Sequence, residues 1–210
     1  VFRLGWPIGV TSLTESGMFQ ATALMMGWIG TVELAAHGIA MQVVSLSFMV
    51  HLGLSNAATV RAGRADGAGD REGLRDGAKV AIALSAGFGA VMVLLFLALP
   101  QQIIALFLDE SKAGSAEIIA VGVKLMVMAA LFQMADAMQV MALGLLRAVK
   151  DTRVPMIAAA VSYWGVGIPA AYFLGFRADL GGVGLWLGLV VGLVLAAALL
   201  MARFWMRARV

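Results

Sequence analysis

The stretch LGGVGLWLGLVVGLVLAAALLMA, residues 180–202, holds 23 residues and no charged side chain. A helix rises about 1.5 Å per residue, so about 20 mostly apolar residues cross the roughly 30 Å hydrocarbon core of a bilayer. The whole chain has a similar character, since 62% of its 210 residues are hydrophobic, 13% are charged, and its mean hydropathy is +0.95. Soluble domains average about 45–50% apolar and about 25% charged residues. The composition therefore predicts a membrane protein.

Five further stretches have the length and apolarity of a membrane span. The six predicted spans lie at about 6–30, 34–60, 80–99, 120–146, 154–176 and 180–202. Each is too long and too continuously apolar for a barrel strand, and none alternates with a period of two. The sequence therefore predicts an all-α, polytopic membrane protein in which residues 1–210 form a single lobe of six transmembrane helices.

Glycine and proline predict details of two of these spans. Gly184, Gly188 and Gly192 recur every four residues in the sixth span, which predicts close packing of this helix against a neighbour within the lobe. Pro169 lies inside the fifth span and is expected to kink it, because proline removes a helical hydrogen-bond donor.

The charged residues gather between the spans. The connector VRAGRADGAGDREGLRDGAKV, residues 60–80, holds nine of the 27 charged residues. If this connector is cytoplasmic, 12 of the 15 basic residues lie on the inner side. The positive-inside rule therefore predicts that both termini are cytoplasmic. Because the basic residues lie in short connectors rather than along one face, membrane lipids are expected partners and nucleic acid is not.

Sites for enzyme chemistry are not evident. The segment GAGDREG, residues 67–73, has the wrong glycine spacing for dinucleotide binding and follows an apolar helix rather than a strand. No phosphate-binding GxxxxGK[ST] occurs, cysteine is absent, and the two histidines have no nucleophile beside them in a recognisable pattern. We predict that the chain is not an enzyme and uses no organic cofactor, and we assign no metal-ligand set.

Two carboxylates, Glu15 and Asp136, lie inside predicted spans. A charge at mid-bilayer costs about 2.5–3.5 kcal/mol on insertion scales, so such residues mark ion or substrate pathways. Asp136 precedes Arg147 by 11 residues, or about 16 Å of helix, and Glu15 follows Arg3 by 12 residues on a helix of opposite polarity. The two carboxylates therefore lie at a similar depth and can face one cavity.

Polar side chains flank each carboxylate at helical spacing. The two polar stripes are Thr11, Glu15, Met18 and Thr22 in the first span, and Gln133, Asp136 and Gln139 in the fourth. Hydroxyl and amide side chains within a span need no functional explanation, because they form helix-to-helix hydrogen bonds worth about 0.6 kcal/mol per pair. A carboxylate at the centre of each stripe instead favours an ion or substrate pathway. Together with a deep tryptophan of the fifth span, the predicted substrate-binding residues are Thr11, Met18, Gln133, Gln139 and Trp164.

Two segments resemble one transporter family. They are FMVHLGLSNAATVRAGRADGAGD, residues 48–70, and FQMADAMQVMALGLLRAVKDT, residues 132–152. The two segments resemble the multidrug and toxic compound extrusion (MATE) family, and more specifically the C-terminal half of its bacterial multidrug branch. Their apolar pattern, their small residues and their loop charges all match together. The resemblance extends over nearly all 210 residues.

The resemblance implies one lobe of a twelve-helix transporter, whose two six-helix lobes are related by a pseudo-two-fold axis along the membrane normal. Such proteins export organic cations in exchange for sodium ions or protons. Glu15 and Asp136 fall where the family keeps a glutamate and a cation-associated aspartate in this lobe, so they are the predicted cation-coupling residues. The expected partners are small cationic substrates and a missing N-terminal six-helix lobe. The expected location is the bacterial inner membrane, which is the plasma membrane.

The chain differs from the family pattern at two positions. His51 replaces the proline of FMVPLGLS, which leaves the local helix kink unsettled and two roles open for His51, a proton relay or a packed side chain. Phe132 replaces a tyrosine that some sodium-coupled members carry one turn before the aspartate, which weakens the case for sodium ligation. Coupling to sodium and coupling to protons both stay open.

Two other functions stay open. A lipid-linked oligosaccharide flippase of the same superfamily would need cationic residues to hold a pyrophosphate, whereas the first and fourth spans carry acids and no arginine. The third possibility is a non-transporting fragment that assembles with a full transporter or inhibits it.

Overall fold

The computed structural model describes residues 2–108 and 114–209, without the side chain of Arg209. Within these residues the chain is helical and contains no strand. The helices are α1 (Phe2–Ile29), α2 (Thr31–Ala68), α3 (Arg71–Ala98), α4 (Pro100–Ala105), α5 (Ser115–Ala148), α6 (Arg153–Ala160), α7 (Ile168–Tyr172) and α8 (Gly181–Arg209). A π-helical segment, Val161–Gly167, joins α6 to α7, and a second one, Phe173–Arg177, continues α7. Together they form one long helix, Arg153–Arg177, which we call the fifth long helix.

Within the described ranges, five helices are long and apolar enough to cross a membrane. They are Thr31–Ala68, Arg71–Ala98, Ser115–Ala148, Arg153–Arg177 and Gly181–Ala208. The predicted all-α, polytopic fold is confirmed. The helix α1 has the length of a span, at 28 residues, but it is not among these five. The count of six spans therefore stays a prediction.

The connector at residues 60–80 is mostly helical. The helix α2 continues to Ala68 and α3 begins at Arg71, so the turn consists of two residues. Gly69 adopts a left-handed conformation with a φ of 71°, which glycine reaches without steric cost, and the Asp70 carboxylate accepts a hydrogen bond of 2.8 Å from the Gly73 N–H. The glycine-rich segment that resembled a nucleotide motif is thus a helix–turn–helix corner.

The helix α5 forms the centre of the lobe, because α2, α3 and α8 all pack against it and every residue from 139 to 146 is buried. Ser55 of α2 donates a hydrogen bond of 2.8 Å to the Val140 carbonyl, and Thr59 donates one of 2.9 Å to the Gly144 carbonyl. From the first contact to the second, the residue numbers rise by four in both helices, so α2 and α5 run parallel. The two segments that carry the family resemblance are therefore packed against each other.

The fifth long helix and α8 are antiparallel and approach through small residues. A Cβ added at Gly192 would lie 2.9 Å from the Gly167 Cα, and the neighbouring glycines of α8 face Ala171 and Leu174. The predicted role of the glycine repeat in packing within the lobe is confirmed. A π-helical segment lies immediately before Pro169, in the first turn of α7, where the missing N–H interrupts the regular helix.

One end of the lobe gathers the basic connectors. Asp151, in the turn between α5 and α6, accepts hydrogen bonds from Arg203 at 2.9 Å and from Arg207 at 3.1 Å. Arg75 of α3 donates a hydrogen bond of 2.8 Å to the Ala208 carbonyl near the end of α8. These contacts place the connectors at one end of the lobe, as the charge pattern predicts. The assignment of that end to the cytoplasm stays a prediction.

Candidate functional site

A cavity of about 230 Å³ lies among α1, α2 and α5. Its lining residues are Glu15, Ser16, Phe19, Met41, Val44, Ser45, Phe48, Phe132 and Asp136. The two carboxylates come from different helices, and they are the charged members of this lining. The structure thus brings Glu15 and Asp136 to one cavity. Their role in cation coupling stays a prediction.

One buried oxygen of each carboxylate has no hydrogen-bond partner among the described residues. Asp136 is 2% exposed, and the two oxygens are Asp136 Oδ2 and Glu15 Oε1. The two groups are close enough to interact electrostatically. Burial of a carboxylate oxygen without a hydrogen-bond partner is costly, and a second carboxylate nearby adds to this cost. The arrangement therefore favours uptake of a cation or a proton between them.

A polar network extends from Glu15 to the fifth long helix. Gln139 donates a hydrogen bond of 2.6 Å from Nε2 to the Tyr163 hydroxyl, and its side chain also interacts with the Glu15 carboxylate. Tyr163 is fully buried and lies in the π-helical segment Val161–Gly167. Arg147, two turns beyond Gln139 on α5, interacts electrostatically with Glu15. The network links the cavity to the interior of the lobe.

Gln133 lies one turn before Asp136 and is fully buried. Neither its amide nitrogen nor its amide oxygen has a hydrogen-bond partner among the described residues. Buried amides in proteins are nearly always satisfied, so this side chain is a candidate ligand for a polar group or an ion. Its position agrees with the predicted polar stripe of the fourth span.

None of the five predicted substrate-binding residues, Gln133 and Gln139 included, belongs to the cavity lining. Thr11 donates a hydrogen bond of 2.8 Å to the Pro7 carbonyl one turn earlier, and Met18 is fully buried in the core. Trp164 is 47% exposed, donates a hydrogen bond of 3.0 Å to the Thr14 carbonyl, and packs on Gly17. Thr11 and Met18 are outside the lining because α1 is rotated so that positions 15, 16 and 19 face the cavity. Their role in substrate binding stays a prediction.

Several residues around this site lie outside the polar stripes that the sequence predicts. From α2 the lining takes Met41, Val44, Ser45 and Phe48. Their spacing of three, four and seven residues is typical of one helical face, so a signal was present in the sequence, but an apolar face alone does not tell a cavity from a core. The place of Tyr163 in the network had no sequence signal, because a π-helical segment changes which side chains face inward.

Phe132 occupies the turn before Asp136. Its ring lies 5.9 Å from that of Phe19 and 5.6 Å from that of Trp186, measured between centroids. It also lines the cavity. The side chain that approaches the aspartate from this turn is therefore an aromatic ring without a hydroxyl.

His51 is fully buried within α2 and does not line the cavity. Its Nδ1 shares a hydrogen bond of 2.8 Å with the Ser85 hydroxyl, and its ring packs edge-on against Phe88. His51 thus joins α2 to α3. Its Nε2 has no hydrogen-bond partner among the described residues, so both the relay role and the packing role remain predictions.

Residues 2–108 and 114–209 contain no cluster suited to a metal ion, that is, no group of three or more histidine, cysteine, aspartate or glutamate side chains. Glu15 and Asp136 line the same cavity, whereas Gln133, one turn before Asp136, does not line it. Oxygen ligands of this kind suit a hard cation.

The fold is that of one half of solved MATE transporter structures. The lobe resembles half of the eukaryotic MATE transporter AtDTX14, with a TM-score of 0.86 and 22% identity over 99% of this chain and 47% of the other. It also resembles the outward-facing form of a multidrug resistance MATE family transporter, with a TM-score of 0.86 and 21% identity over 99% of this chain and 46% of the other. At these identities the likeness establishes the fold alone.

Sequence comparison establishes the family. The MatE family model matches residues 7–173, and the chain belongs to this family. It is 45% identical over 205 residues to the probable multidrug resistance protein NorM of Rhizobium meliloti, covering 98% of this chain and 44% of that protein. It is also 45% identical to the corresponding protein of Mesorhizobium japonicum, over 100% of this chain and 45% of that protein. The chain therefore spans less than half the length of these relatives.

Family membership confirms the MATE resemblance that the sequence segments indicated. MatE proteins are transporters rather than enzymes, so the prediction that the chain is not an enzyme is also confirmed. The apolar helices and the family together define a multi-pass membrane protein.

Proposed function

We propose that the chain forms the C-terminal lobe of a secondary multidrug antiporter that exports organic cations in exchange for sodium ions or protons. One observation carries this proposal: Glu15 and Asp136 reach one cavity from α1 and α5. The rest of the lining is aromatic, aliphatic or hydroxyl-bearing. Carboxylates attract a cation, and aromatic faces bind both its charge and its apolar body. The multidrug resistance names of the relatives support the same substrate class.

Exchange follows from competition for this negative charge. A cationic substrate and a coupling ion cannot both be held by the same two carboxylates, so one leaves when the other binds. Because each ligand binds only when the site has released the other, their movements in opposite directions are coupled.

The size of the cavity supports a second lobe as partner. Drug-sized pockets typically enclose about 300–1,000 Å³, whereas this cavity encloses about 230 Å³. The cavity holds an ion and part of a substrate, and the surface of an N-terminal lobe would enclose the remainder. The chain covers 44% of the length of its Rhizobium meliloti relative, which leaves length for such a lobe in that protein. The proposed location of the assembled transporter is the bacterial inner membrane.

A chimaeric transporter tests the proposal. The 210-residue chain replaces the matching 205 residues of the Rhizobium meliloti protein, and ethidium efflux is measured in membrane vesicles under an imposed proton or sodium gradient. Glu15→Gln and Asp136→Asn keep side-chain size but remove charge. Each should reduce gradient-driven efflux by about tenfold or more, which corresponds to about 1.4 kcal/mol of lost interaction. The gradient that drives efflux in the unmodified chimaera identifies the coupling ion.

The matched control is Glu117→Gln, which removes an exposed carboxylate from the same helix as Asp136 and should leave efflux unchanged. Wild-type coupling in the Glu15→Gln/Asp136→Asn double variant would reject the site and move the coupling to the other lobe. An unmodified chimaera that is present in the membrane but inactive would favour the non-transporting fragment. The flippase alternative has no support from the lining, because neither of its charged residues is cationic.

A further inference from the structure

A second cavity, of about 390 Å³, opens at the end of the lobe where the connectors meet. It lies between the start of α1, the turn between α5 and α6, and the end of α8. We call it the basic pocket. Its lining includes five cationic side chains, which are Arg3, Lys150, Arg153, Arg203 and Arg207. Its acidic member is Asp151.

The charges in the basic pocket do not balance. Asp151 is already bound by Arg203 and Arg207. Among the described residues, Arg3, Lys150 and Arg153 form no ion pair with a carboxylate. Three cations from two separate segments therefore face one cavity without compensation, an arrangement that attracts an anion.

The backbone adds to this attraction. The fifth long helix begins at Arg153 in the wall of the pocket, and its N-cap residue, Thr152, makes no side-chain capping hydrogen bond. The first N–H groups of a helix have no partner within the helix, and the helix dipole makes this end positive. A phosphate group is a suitable ligand for such a terminus when basic side chains surround it.

The wall of the basic pocket also has an apolar part. Leu4 and Val154 line it and are exposed. Phe2 and Trp6, at the same end of α1, are exposed as well. Free phosphate would make no use of these side chains, whereas the glycerol and the upper acyl chains of a lipid would contact them.

We propose that the basic pocket binds the phosphate group of an anionic phospholipid. Basic pockets between transmembrane helices at the cytoplasmic side are suited to anionic headgroups. The bound lipid would connect Arg3 of α1 with Lys150 and Arg153 of the turn between α5 and α6, and so hold α1 against the fifth long helix. This proposal is independent of the transport function, because the pocket shares no lining residue with the carboxylate cavity.

Native mass spectrometry of the 210-residue chain in detergent tests the proposal, with phosphatidylglycerol and phosphatidylcholine of equal chain length as probes. We expect preferential retention of phosphatidylglycerol. In the variant Arg3→Gln/Lys150→Gln/Arg153→Gln the preference should disappear. Lys150→Gln alone, a milder change, should weaken phosphatidylglycerol binding about fivefold, the value of one basic group near an anionic headgroup.

The matched control is Arg61→Gln/Arg64→Gln/Arg71→Gln, which removes the same charge from exposed positions near the turn between α2 and α3. It should keep the preference for phosphatidylglycerol. Equal retention of the two lipids by the unmodified chain, or an equal loss in the control variant, would overturn the proposal. Displacement of the lipid by an equal concentration of inorganic phosphate would assign the pocket to free phosphate and would also overturn it.

Discussion

Asp151 lies in the turn between α5 and α6, and its Oδ2 accepts both of the hydrogen bonds that hold α8 to this turn. Its side chain is 7% exposed, whereas those of Arg203 and Arg207 are 30% and 55% exposed. Removing the charge of a buried acceptor lowers the free energy of unfolding more than breaking an exposed ion pair does. The sequence shows an ordinary connector residue here, because the arginines that bind Asp151 follow it by 52 and 56 residues.

At the residue scale we therefore expect Asp151→Asn to lower the free energy of unfolding by about 1–2 kcal/mol, the range for hydrogen bonds to charged groups after solvent screening of the more exposed Arg207. Denaturant unfolding of the chain in detergent measures this change. The control is Asp76→Asn, which removes an exposed carboxylate that pairs with Lys79 at 2.8 Å and should have almost no effect. Similar losses in the two variants would show that burial of Asp151 contributes nothing.

At the scale of helices, the closest approach that the glycine repeat permits lies between α8 and the fifth long helix. A Cβ added at Gly188 would meet the backbone of Ala171. Backbone atoms cannot move aside as the end of a flexible side chain can, so the helices would have to separate. The loss would extend to the fifth long helix, including the π-helical segment that positions Tyr163 beside Gln139.

We predict that Gly188→Ala destabilises the chain by about 1–3 kcal/mol because of overpacking. Gly87→Ala in α3 is the matched control, because a Cβ added there has no neighbour within 4 Å. Alanine has the higher helix propensity, by up to about 1 kcal/mol, so the control should be neutral or slightly stabilised. Thermal unfolding in detergent compares the two variants, and a neutral Gly188→Ala would contradict the packing described for α8.

At the scale of the whole molecule, the turns between the long helices gather basic residues at one end of the lobe. The basic residues Arg75, Arg203 and Arg207 and the turn at Asp151 are joined at one end by direct hydrogen bonds. The positive-inside rule predicts that this end faces the cytoplasm. The start of α5 lies at the opposite end, because α5 runs towards the turn at Asp151.

Cysteine labelling tests this orientation in a chain that has no cysteine of its own. Ala68→Cys and Ala116→Cys place thiols at exposed positions on opposite ends of the lobe. An impermeant maleimide should label Ala116→Cys in intact cells and Ala68→Cys only after permeabilisation. Gly69 and Gly114 are unsuitable positions, because their φ angles of 71° and 88° would strain a side chain. Labelling of Ala68→Cys from outside would reverse the topology.

The sequence by itself determined the helical membrane class, the approximate bounds of five long apolar helices, the gathering of basic residues at one end and the two carboxylates that share a cavity. These features depend on the free energy of moving a side chain from water into the membrane, which is a property of each residue and its close neighbours in the chain. The close packing of α8 was also readable, because the repeat of Gly184, Gly188 and Gly192 is local.

Only the tertiary structure decided which face of each helix lines the cavity. The rotation of α1 turns Ser16 and Phe19 towards the cavity rather than Thr11 and Met18, and packing of α2 adds four further residues to the lining. A π-helical segment brings Tyr163 to Gln139, and Asp151 meets arginines more than 50 residues away. These outcomes follow from the fit of distant helices against one another. The energy differences between alternative helix rotations come from the shapes of both partners, which hydrophobic pattern and spacing within one helix do not contain.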